Sequence, residues 1–269
     1  MPESSPDPTV VVPGVDALRP EHGRLFVVVG VFDGLHLGHA YLLRHLGAGA
    51  TVRGARPAVI TFDHHPDEIL VGTAPPLLCD PDERLSLLAQ AGVEVTVVQH
   101  FDVALRMSSY EDFVRRITSR IDLAGFLMTP DSAFGHERGG TPTAVAALGA
   151  VLGYDVEVVP SLDLDGRPVR SAEIRSDIAS GDLASARRLL GRPYSVIGDV
   201  TGRAEAGVHV RFPMPVALPP VGRYEARVEP VTGPGATAAS VTVRLDGTLD
   251  LGRESVAGPD MDRVRITFA

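Results

Sequence analysis

Short apolar runs alternate with amphipathic stretches along the first 192 residues of this 269-residue chain. The apolar runs are rich in valine, isoleucine, leucine and phenylalanine, which is typical of buried strands, and the stretches between them carry helical spacing. The predicted strands are Phe26–Val29, Ala58–Phe62, 93–99, 124–130 and 155–160. This alternation predicts βαβ units, and therefore a Rossmann-like parallel α/β sheet with helices on both faces.

Helix start and stop signals separate these strands. One predicted helix opens on Asp80 and ends at Gly92, and the next is capped by Ser109 or the serine before it. A later helix has Pro142 in its first turn and Gly153 just beyond its end, the asymmetry expected of helix termini.

The pattern changes after Pro193. The segments "YSVIGDVTG", "VGRYEARVEPV" and "ASVTVRL" are rich in β-formers, are broken by glycine and proline, and contain no convincing helix. A small β-barrel or sandwich is predicted for this part of the chain. We therefore expect an α/β domain in residues 1–192 and a smaller β domain in residues 193–269.

Composition narrows the function classes. The formal net charge of −9 argues against nucleic acid or an anionic membrane as the main partner, because both require a basic surface. The single cysteine, Cys79, excludes an internal disulfide framework and fits a reducing cytoplasm. The first ten residues lack a secretory pattern, and no segment approaches the roughly 20 apolar residues of a membrane span. The expectation is a cytoplasmic protein, and the sequence assigns no oligomeric state.

The stretch "VVGVFDGLHLGHAYLL", residues 28–43, places candidate chemistry where a strand gives way to a helix. Ligands of open parallel sheets bind at the carboxyl ends of strands, and a helix N-terminus there favours anions. Gly30 and Gly34 permit a tight turn, and His36 and His39 share one face of the first helical turn, with Gly38 between them. Surface or capping histidines and a zinc pair are the alternatives, but no third or fourth metal ligand lies nearby in sequence. The arrangement favours binding of nucleotide phosphates.

The same stretch, read as G-x-F-D-G-x-H-x-G-H, closely resembles the signature of the bacterial bifunctional riboflavin kinase/FAD synthetase family of HxGH nucleotidylyltransferases. The resemblance extends over most of the chain, through "TFDHHP" (usually T-F-x-P-H-P), "PDERLSLLAQAGV", "PDSAFGHERGG", "RSAEIRSDIASGDLASARRLLGRPY" and "SVIGDV". It implies a nucleotidylyltransferase domain in residues 1–192 and a truncated, degenerate riboflavin kinase-like domain in residues 193–269.

The resemblance also implies roles for individual residues, each carried over to the matching position of this sequence. The residues expected to hold ATP are Gly30, Phe32, Asp33, Gly34, His36, Gly38 and His39, with both histidines on the phosphates. Those expected to line the flavin side are Phe62, His65 and Pro66, with strand core as the alternative for Phe62. Those expected near the nucleotide are Asp131, Phe134, Gly135 and Arg138, with a structural turn as the alternative. Ser171 and Arg175 would complete the triphosphate clamp, unless Arg175 is a solvated helix-face residue.

The activity implied by the resemblance is FMN adenylyltransferase. ATP with Mg²⁺ would donate AMP to the phosphate of FMN, giving FAD and pyrophosphate. No protein nucleophile is required, because the FMN phosphate attacks the α-phosphorus of ATP in line. His36, His39 and Arg175 are the candidate catalytic residues, and no residue is assigned as a metal ligand. ATP and FMN, both small molecules, are the expected partners.

The chain departs from the family pattern in two places. Arg170, Ser171 and Ala172 stand where the family has Ser-Ser-Thr, so one hydroxyl is missing, and Glu173 follows. The segment "VRFPMPVAL", 210–218, replaces G-F-P-T-A-N and so lacks the threonine and asparagine that serve ATP and Mg²⁺ in the kinase. Glu254 is a poor candidate for the kinase base. We therefore predict that riboflavin kinase activity is absent.

Two other functions remain open. One is a related nucleotidylyltransferase with a different nucleotide or a flavin-analogue acceptor, suggested by Arg170 and Ala172. The other is a nucleotide- or flavin-binding pseudoenzyme that keeps the fold without the chemistry. The intact histidines count against the second, and the two departures count for it.

Overall fold

The computed structural model describes residues 9–204, 207–232, 235–252 and 262–269. The chain divides into two compact units. The first comprises residues up to Phe32, then Gly38–Pro75 and Leu85–Leu162, and the second comprises Asp33–Leu37, Pro76–Arg84 and Asp163 onwards. This division falls at residue 162, so the expected domain boundary after residue 192 stays a prediction. Glu254 lies outside the described residues.

The first unit is built on a six-stranded parallel sheet, which confirms the predicted Rossmann-like fold class. Its strands are β1 (Val10–Val12), β2 (Leu25–Val29), β3 (Arg56–Phe62), β4 (Val95–Gln99), β5 (Leu123–Met128) and β6 (Asp155–Val158). Their order across the sheet is β1-β4-β3-β2-β5-β6, and every pairing is parallel. The chain builds outward from β2 through β3 to β4 and then crosses to β5 on the other side. A topological switch point therefore lies at the carboxyl end of β2.

Six α-helices lie among the described residues of this part of the chain. They are α1 (Leu37–Val52), α2 (Asp67–Leu70), α3 (Pro81–Gln90), α4 (Val103–Met107), α5 (Tyr110–Thr118) and α6 (Pro142–Leu152). Two of them, α2 and α4, were not predicted from the sequence. The side chain of Ser109 caps α5 by accepting the Asp112 N–H, and Gly153 ends α6 in the left-handed conformation. Buried aliphatic and aromatic side chains from the strands, including Val27, Ile60 and Phe126, form the core of this unit.

The second unit contains a closed antiparallel barrel, which decides between the two β architectures that the sequence allowed. A hairpin of β7 (Asp163–Leu164) and β8 (Arg167–Pro168) precedes α7 (Ser171–Ser180) and α8 (Leu183–Leu190). The barrel strands are β9 (Ser195–Ala204), β10 (Gly207–Arg211), β11 (Gly222–Pro230), β12 (Thr237–Val243), β13 (Leu249–Leu251) and β14 (Arg263–Phe268). They close in the order β10-β13-β12-β11-β14-β9. Alternate residues of β12 are buried, as the two-residue period of a strand requires.

Among the helices in the described part of the chain, none combines the length and the apolar character needed to cross a bilayer.

Candidate functional site

The turn between β2 and α1 has a strained backbone. Phe32, Gly34 and Leu35 all have positive φ angles, of 55°, 79° and 35°. A side chain at Gly34 would place its Cβ 2.8 Å from Leu78, so glycine is required there for space as well as for conformation. Left-handed conformations at non-glycine residues cost about 1–3 kcal/mol each and persist only where other contacts hold them.

The carboxylate of Asp33 supplies many of those contacts. It is 3% exposed and accepts the backbone N–H groups of Leu78, at 2.9 and 3.0 Å, and of Cys79, at 3.2 Å. The guanidinium of Arg175 donates to its second oxygen at 2.6 Å and to the carbonyl of Pro76 at 2.8 Å. The Ser171 hydroxyl donates to the backbone carbonyl of Asp33 at 3.1 Å. Asp33, Ser171 and Arg175 are therefore brought together, and the Asp33 side chain is engaged in holding the turn.

Two further groups fix the same turn. Arg192 donates to the carbonyls of Gly34, at 2.8 Å, and Leu35, at 3.2 Å. The N–H of Gly34 lies 3.2 Å from the sulfur of Cys79. Burial, together with the negative charge of Asp33, raises the pKa of the Cys79 thiol to about 12. Cys79 is thus a neutral, buried thiol that contacts the turn.

The two histidines of the turn differ in environment. His36 is only 4% exposed, and burial followed by the positive charges of Arg192 and Arg175 lowers its pKa to about 4. His39 is half-buried, with its ring 5.0 Å from that of Phe32. His36 is therefore neutral at pH 7 and offers a ligand little surface, whereas His39 is the more accessible imidazole. Direct contact of His36 with phosphate stays a prediction.

A cavity of about 650 Å³ in the first unit joins two sets of residues that the sequence assigned separately. Its lining includes Gly30, the expected flavin-side residues Phe62, His65 and Pro66, and the expected nucleotide-side residues Asp131, Phe134, Gly135 and Arg138. Cavities of this size suit a cofactor-sized ligand. Apolar and aromatic side chains form most of the lining, and polar side chains come from residues 65–67, 106, 108 and 131–138. This lining suits a flat ring system that carries a polar tail.

The loop after β5 forms one polar part of the cavity wall. The guanidinium of Arg138 donates to the carbonyl of Asp131 at 2.9 Å, and the Asp131 carboxylate accepts the hydroxyl of Thr129 at 2.8 Å. Gly135 has a φ of 78°, and a Cβ there would lie 2.6 Å from the backbone nitrogen of Tyr110. Close packing against α5 therefore sets the position of the loop. The loop is a structural turn, and the same residues line the cavity.

The cavity lining also includes residues that the sequence analysis did not assign, among them Phe101 and Phe113. Phe101 stacks edge-to-face with Phe62 at 5.3 Å, and Phe113 packs against Phe134 at 5.7 Å. Phe101 lies just beyond β4, so its place at the carboxyl end of a strand is a signal that could have identified it. Phe113 lies within α5, and its spacing gave no such signal.

Comparisons with known proteins identify the family of this chain. Residues 18–173 match the model of a family described as FAD synthetase, and these residues make up more than half of the chain. The chain belongs to the FAD synthetase family. A bifunctional riboflavin kinase/FMN adenylyltransferase of Pseudomonas fluorescens is 32% identical over 71% of this chain and 61% of its own length. The protein of that name from Haemophilus influenzae is 30% identical over 81% of this chain and 69% of its own length.

The solved structures extend the comparison of folds. A crystal structure described as a macrolide-efflux protein from Streptococcus pneumoniae matches with a TM-score of 0.78 and 21% identity, covering 97% of this chain and 89% of that one. At this identity the likeness shows the fold alone. The family model and the two relatives confirm the predicted family. At the level of the family, they also confirm the prediction of a nucleotidyltransferase.

The first departure from the family pattern has a structural explanation in part. Glu173 binds the guanidinium of Arg167 at 3.1 Å, and Asp177 binds the same group at 2.7 Å. The acidic group is therefore engaged within its own unit. Arg170 is exposed and precedes the first turn of α7, and Ala172 is also exposed. The methyl group of Ala172 cannot replace the hydrogen bonds of the missing hydroxyl.

The second departure lies in the loop after β10. The carbonyl of Pro215 accepts the N–H of Leu77 at 2.9 Å, and the N–H of Ala217 donates back to the carbonyl of Leu77 at 2.9 Å. The Tyr194 hydroxyl donates to the Ala217 carbonyl at 2.5 Å. The segment that would serve ATP in a kinase is thus held by backbone contacts, and residues 212–218 carry no hydroxyl or carboxamide side chain.

Two carboxylates near the turn and the cavity differ in their fit to a metal ion that accompanies ATP. Both carboxylate oxygens of Asp33 already accept hydrogen bonds, so this side chain does not fit the role of a metal ligand. Mg²⁺ commonly binds through substrate phosphates and water with one or two carboxylates. Asp131 fits that role better than Asp33, because it is exposed at the cavity wall.

Proposed function

We propose that this protein is an FMN adenylyltransferase without riboflavin kinase activity. The observation that carries the proposal is the strand-to-helix turn, whose strained backbone is held by Asp33, Arg175 and Arg192. A rigid turn at a switch point, ending in a helix N-terminus, is suited to binding phosphates without reorganisation. The family membership and the names of the relatives support the same reaction.

The cavity of the first unit would receive the flavin ring. Its aromatic walls, formed by Phe62, Phe101 and Phe134, suit offset or edge-to-face packing against an isoalloxazine. Arg138, at the polar part of the wall, would contact the phosphate or the ribityl hydroxyls of FMN. The apolar lining supplies binding energy, and the polar groups set the orientation.

The chemical step needs positioning more than acid–base catalysis. An oxygen of the FMN phosphate forms a bond to the α-phosphorus of ATP, and the bond from that phosphorus to the bridging oxygen of pyrophosphate breaks. His39 and the first N–H groups of α1 would donate hydrogen bonds to the phosphate oxygens as charge moves to the leaving group. His36, being neutral, would support the turn and could donate one N–H. Mg²⁺, when bound with ATP, would supply additional positive charge.

The loss of kinase activity is proposed from the loop after β10. In place of the hydroxyl and carboxamide groups that the family uses, Met214 and Val216 stand in a segment held to Leu77. Neither side chain can hold the phosphates of ATP or position riboflavin for transfer.

The decisive assay incubates the full chain with FMN, ATP and Mg²⁺ and measures FAD and pyrophosphate together. Stoichiometric formation of both is expected. His39→Asn should lower kcat by about 100-fold or more, the usual effect of losing a preorganised donor to a charged transition state. His45→Asn, a change within α1 but outside the turn, is the matched control and should retain full turnover.

Three outcomes distinguish the other functions. Binding of FMN and ATP without FAD formation would indicate a pseudoenzyme. Turnover with CTP or a flavin analogue in preference to ATP or FMN would indicate an altered substrate. ATP-dependent conversion of riboflavin to FMN would refute the loss of kinase activity.

A further inference from the structure

Asp63, His64 and His100 form a compact cluster at the carboxyl ends of two neighbouring strands. Among the described residues, these three make up the one group of three or more histidine, cysteine or acidic side chains whose ligand atoms all lie within 4.8 Å of one another. Asp63 and His64 follow β3, and His100 follows β4, its parallel neighbour. All three belong to the first unit.

Two members of the cluster line a cleft that is separate from the candidate flavin cavity. Along each strand end, neighbouring residues alternate between two sides, as extended backbone requires. Phe62 and Phe101 line the 650 Å³ cavity, whereas Asp63 and His100 line a separate cleft of about 540 Å³. The groups that the proposed reaction uses are therefore different from those of the cluster.

The carboxylate of Asp63 is already oriented by its surroundings. One oxygen accepts the backbone N–H groups of His64, at 2.8 Å, and Phe101, at 3.1 Å. The other lies 2.6 Å from Nδ1 of His100, and Nδ1 of His64 is 3.2 Å from the carboxylate. The backbone hydrogen bonds hold this side chain in the manner of the outer partners that orient metal ligands.

The strand ends that carry the cluster are also fixed to each other. The N–H of Asp63 donates to the carbonyl of Gln99 at 3.2 Å, and the side-chain amide of Gln99 donates to the carbonyl of His100 at 3.0 Å. The oxygen of the same amide accepts the N–H of Val15 at 2.9 Å. The backbone positions of the three ligands are thus set before any ion binds, and only side-chain rotation is left to complete a site.

We propose that Asp63, His64 and His100 form a binding site for a divalent transition-metal ion such as Zn²⁺. Two imidazoles and one carboxylate are the donor set of three-ligand zinc sites, which keep a further position open to water or a ligand. Mg²⁺ and Ca²⁺ prefer oxygen ligands and are disfavoured by this set. Tetrahedral zinc bonds of about 2.1 Å separate ligand atoms by roughly 3.4 Å. The ligand atoms of the three residues already lie within 4.8 Å of one another, and the two imidazoles that must rotate towards this spacing are exposed.

One of the three ligands departs from the family pattern. His64 occupies the position where the family pattern T-F-x-P-H-P usually has proline, so this ligand is a departure from that pattern. The inference does not depend on the proposed adenylyl transfer, and the two are tested separately.

The test uses the untagged full chain, freed of metal with a chelator and titrated with ZnCl₂ by calorimetry. One equivalent of Zn²⁺ is expected to bind, and Co²⁺ in place of Zn²⁺ should show the visible absorption of a low-symmetry site. Asp63→Asn, His64→Ala and His100→Ala should each weaken binding by at least about tenfold. His45→Ala removes a histidine elsewhere in the same unit and should bind Zn²⁺ as the unchanged chain does.

Outcomes against the proposal are equally clear. Absence of stoichiometric Zn²⁺ binding refutes it, and so does binding that the three ligand variants leave unchanged. Loss of binding in His39→Ala together with retention in His100→Ala would place the ion at the phosphate turn and would also refute it. Circular dichroism and thermal unfolding check that each variant is folded. With Mg²⁺ supplied, unaltered FAD synthesis by Zn²⁺-free His100→Ala would show that this site and the proposed reaction are independent.

Discussion

Replacing Asp33 by alanine should destabilise the second unit strongly. The change removes the acceptor of two backbone N–H groups and leaves the guanidinium of Arg175, whose side chain is 17% exposed, without its carboxylate. Removing one partner of a buried ion pair costs about 3–5 kcal/mol, because the remaining charge stays desolvated. Folded domains have only about 5–15 kcal/mol of stability, so this loss is a large share. Strain in the turn, which Asp33 helps to hold, adds to the effect.

Two measurements report on this change at different levels. Urea denaturation followed by circular dichroism gives the loss in free energy of unfolding. The reaction of Cys79 with a thiol reagent under native conditions reports local opening, because this cysteine is the single one in the chain and is buried beside Asp33. In the unchanged protein the thiol should be almost unreactive, since its pKa of about 12 leaves little thiolate at neutral pH. In Asp33→Ala it should react much faster.

A double-mutant cycle separates the charge effect from the hydrogen bonds. Arg175→Leu removes the guanidinium. In that background, the loss in free energy of unfolding caused by Asp33→Ala should be smaller than in the unchanged protein, by at least about 1 kcal/mol. Asp163→Ala, which removes an exposed carboxylate of the same unit, is the control and should shift stability by less than about 0.5 kcal/mol. If Asp33→Ala behaves like this control, or if Cys79 stays protected in it, the structural role of the carboxylate is wrong.

Three further predictions follow from other parts of the structure. His36 has its ordinary pKa of 6.5 in the unfolded chain and a pKa of about 4 in the folded chain. The stability contributed by neutral His36 is therefore complete above pH 6.5 and is lost as the pH falls towards 4. The loss amounts to at most about 3 kcal/mol, and urea denaturation at pH 7 and at about pH 4.5 should show a smaller pH dependence for His36→Gln. Gly135→Ala should weaken FMN binding, measured by flavin fluorescence, by about tenfold or more, because residue 135 has a positive φ and the new Cβ would collide with Tyr110. The control is Gly139→Ala, which should bind FMN normally, because residue 139 has a negative φ and the nearest atom to the new Cβ is 3.4 Å away. Removing divalent metal with a chelator should weaken ATP binding, measured by calorimetry, by at least about tenfold, since the chain carries a net charge of −9; equal affinity in both conditions would contradict this.

The fold was predictable where local signals agreed with the final structure. Strands β2 to β6, the cap at Ser109 and the glycine after α6 all follow from period, capping and turn chemistry, and these are local properties of the chain. Strand β1 was missed because Val10–Val12 is only three residues long and pairs with β4, whose sequence lies more than 80 positions away. The choice between barrel and sandwich also depends on closure between distant strands, which no local pattern encodes.

The site was predictable in position but less so in the duties of its residues. Sequence placed Asp33 and Arg175 on the nucleotide, whereas the structure shows the two bound to each other and to the backbone of residues 76–79. The motif identifies such residues without separating those that touch a ligand from those that hold the turn. The burial of His36 was hidden for the same reason, since it depends on packing by segments distant in sequence.

The placement of charge around the turn explains why a motif can contain so many groups that hold the backbone. Arg175 donates a hydrogen bond to Asp33, and Arg192 donates to the carbonyls of Gly34 and Leu35. The positive charges of both arginines help to keep His36 neutral. Phosphate oxygens gain most from donors that are already aimed before the ligand arrives, because no reorganisation then accompanies the movement of charge. A turn fixed by partly buried arginines and a buried aspartate meets that condition, whereas a flexible turn with exposed cations would not. The rigidity of the turn is therefore part of the proposed chemistry, and it allows a phosphate site to be proposed in an acidic protein whose arginines beside the turn already donate to Asp33 and to the backbone.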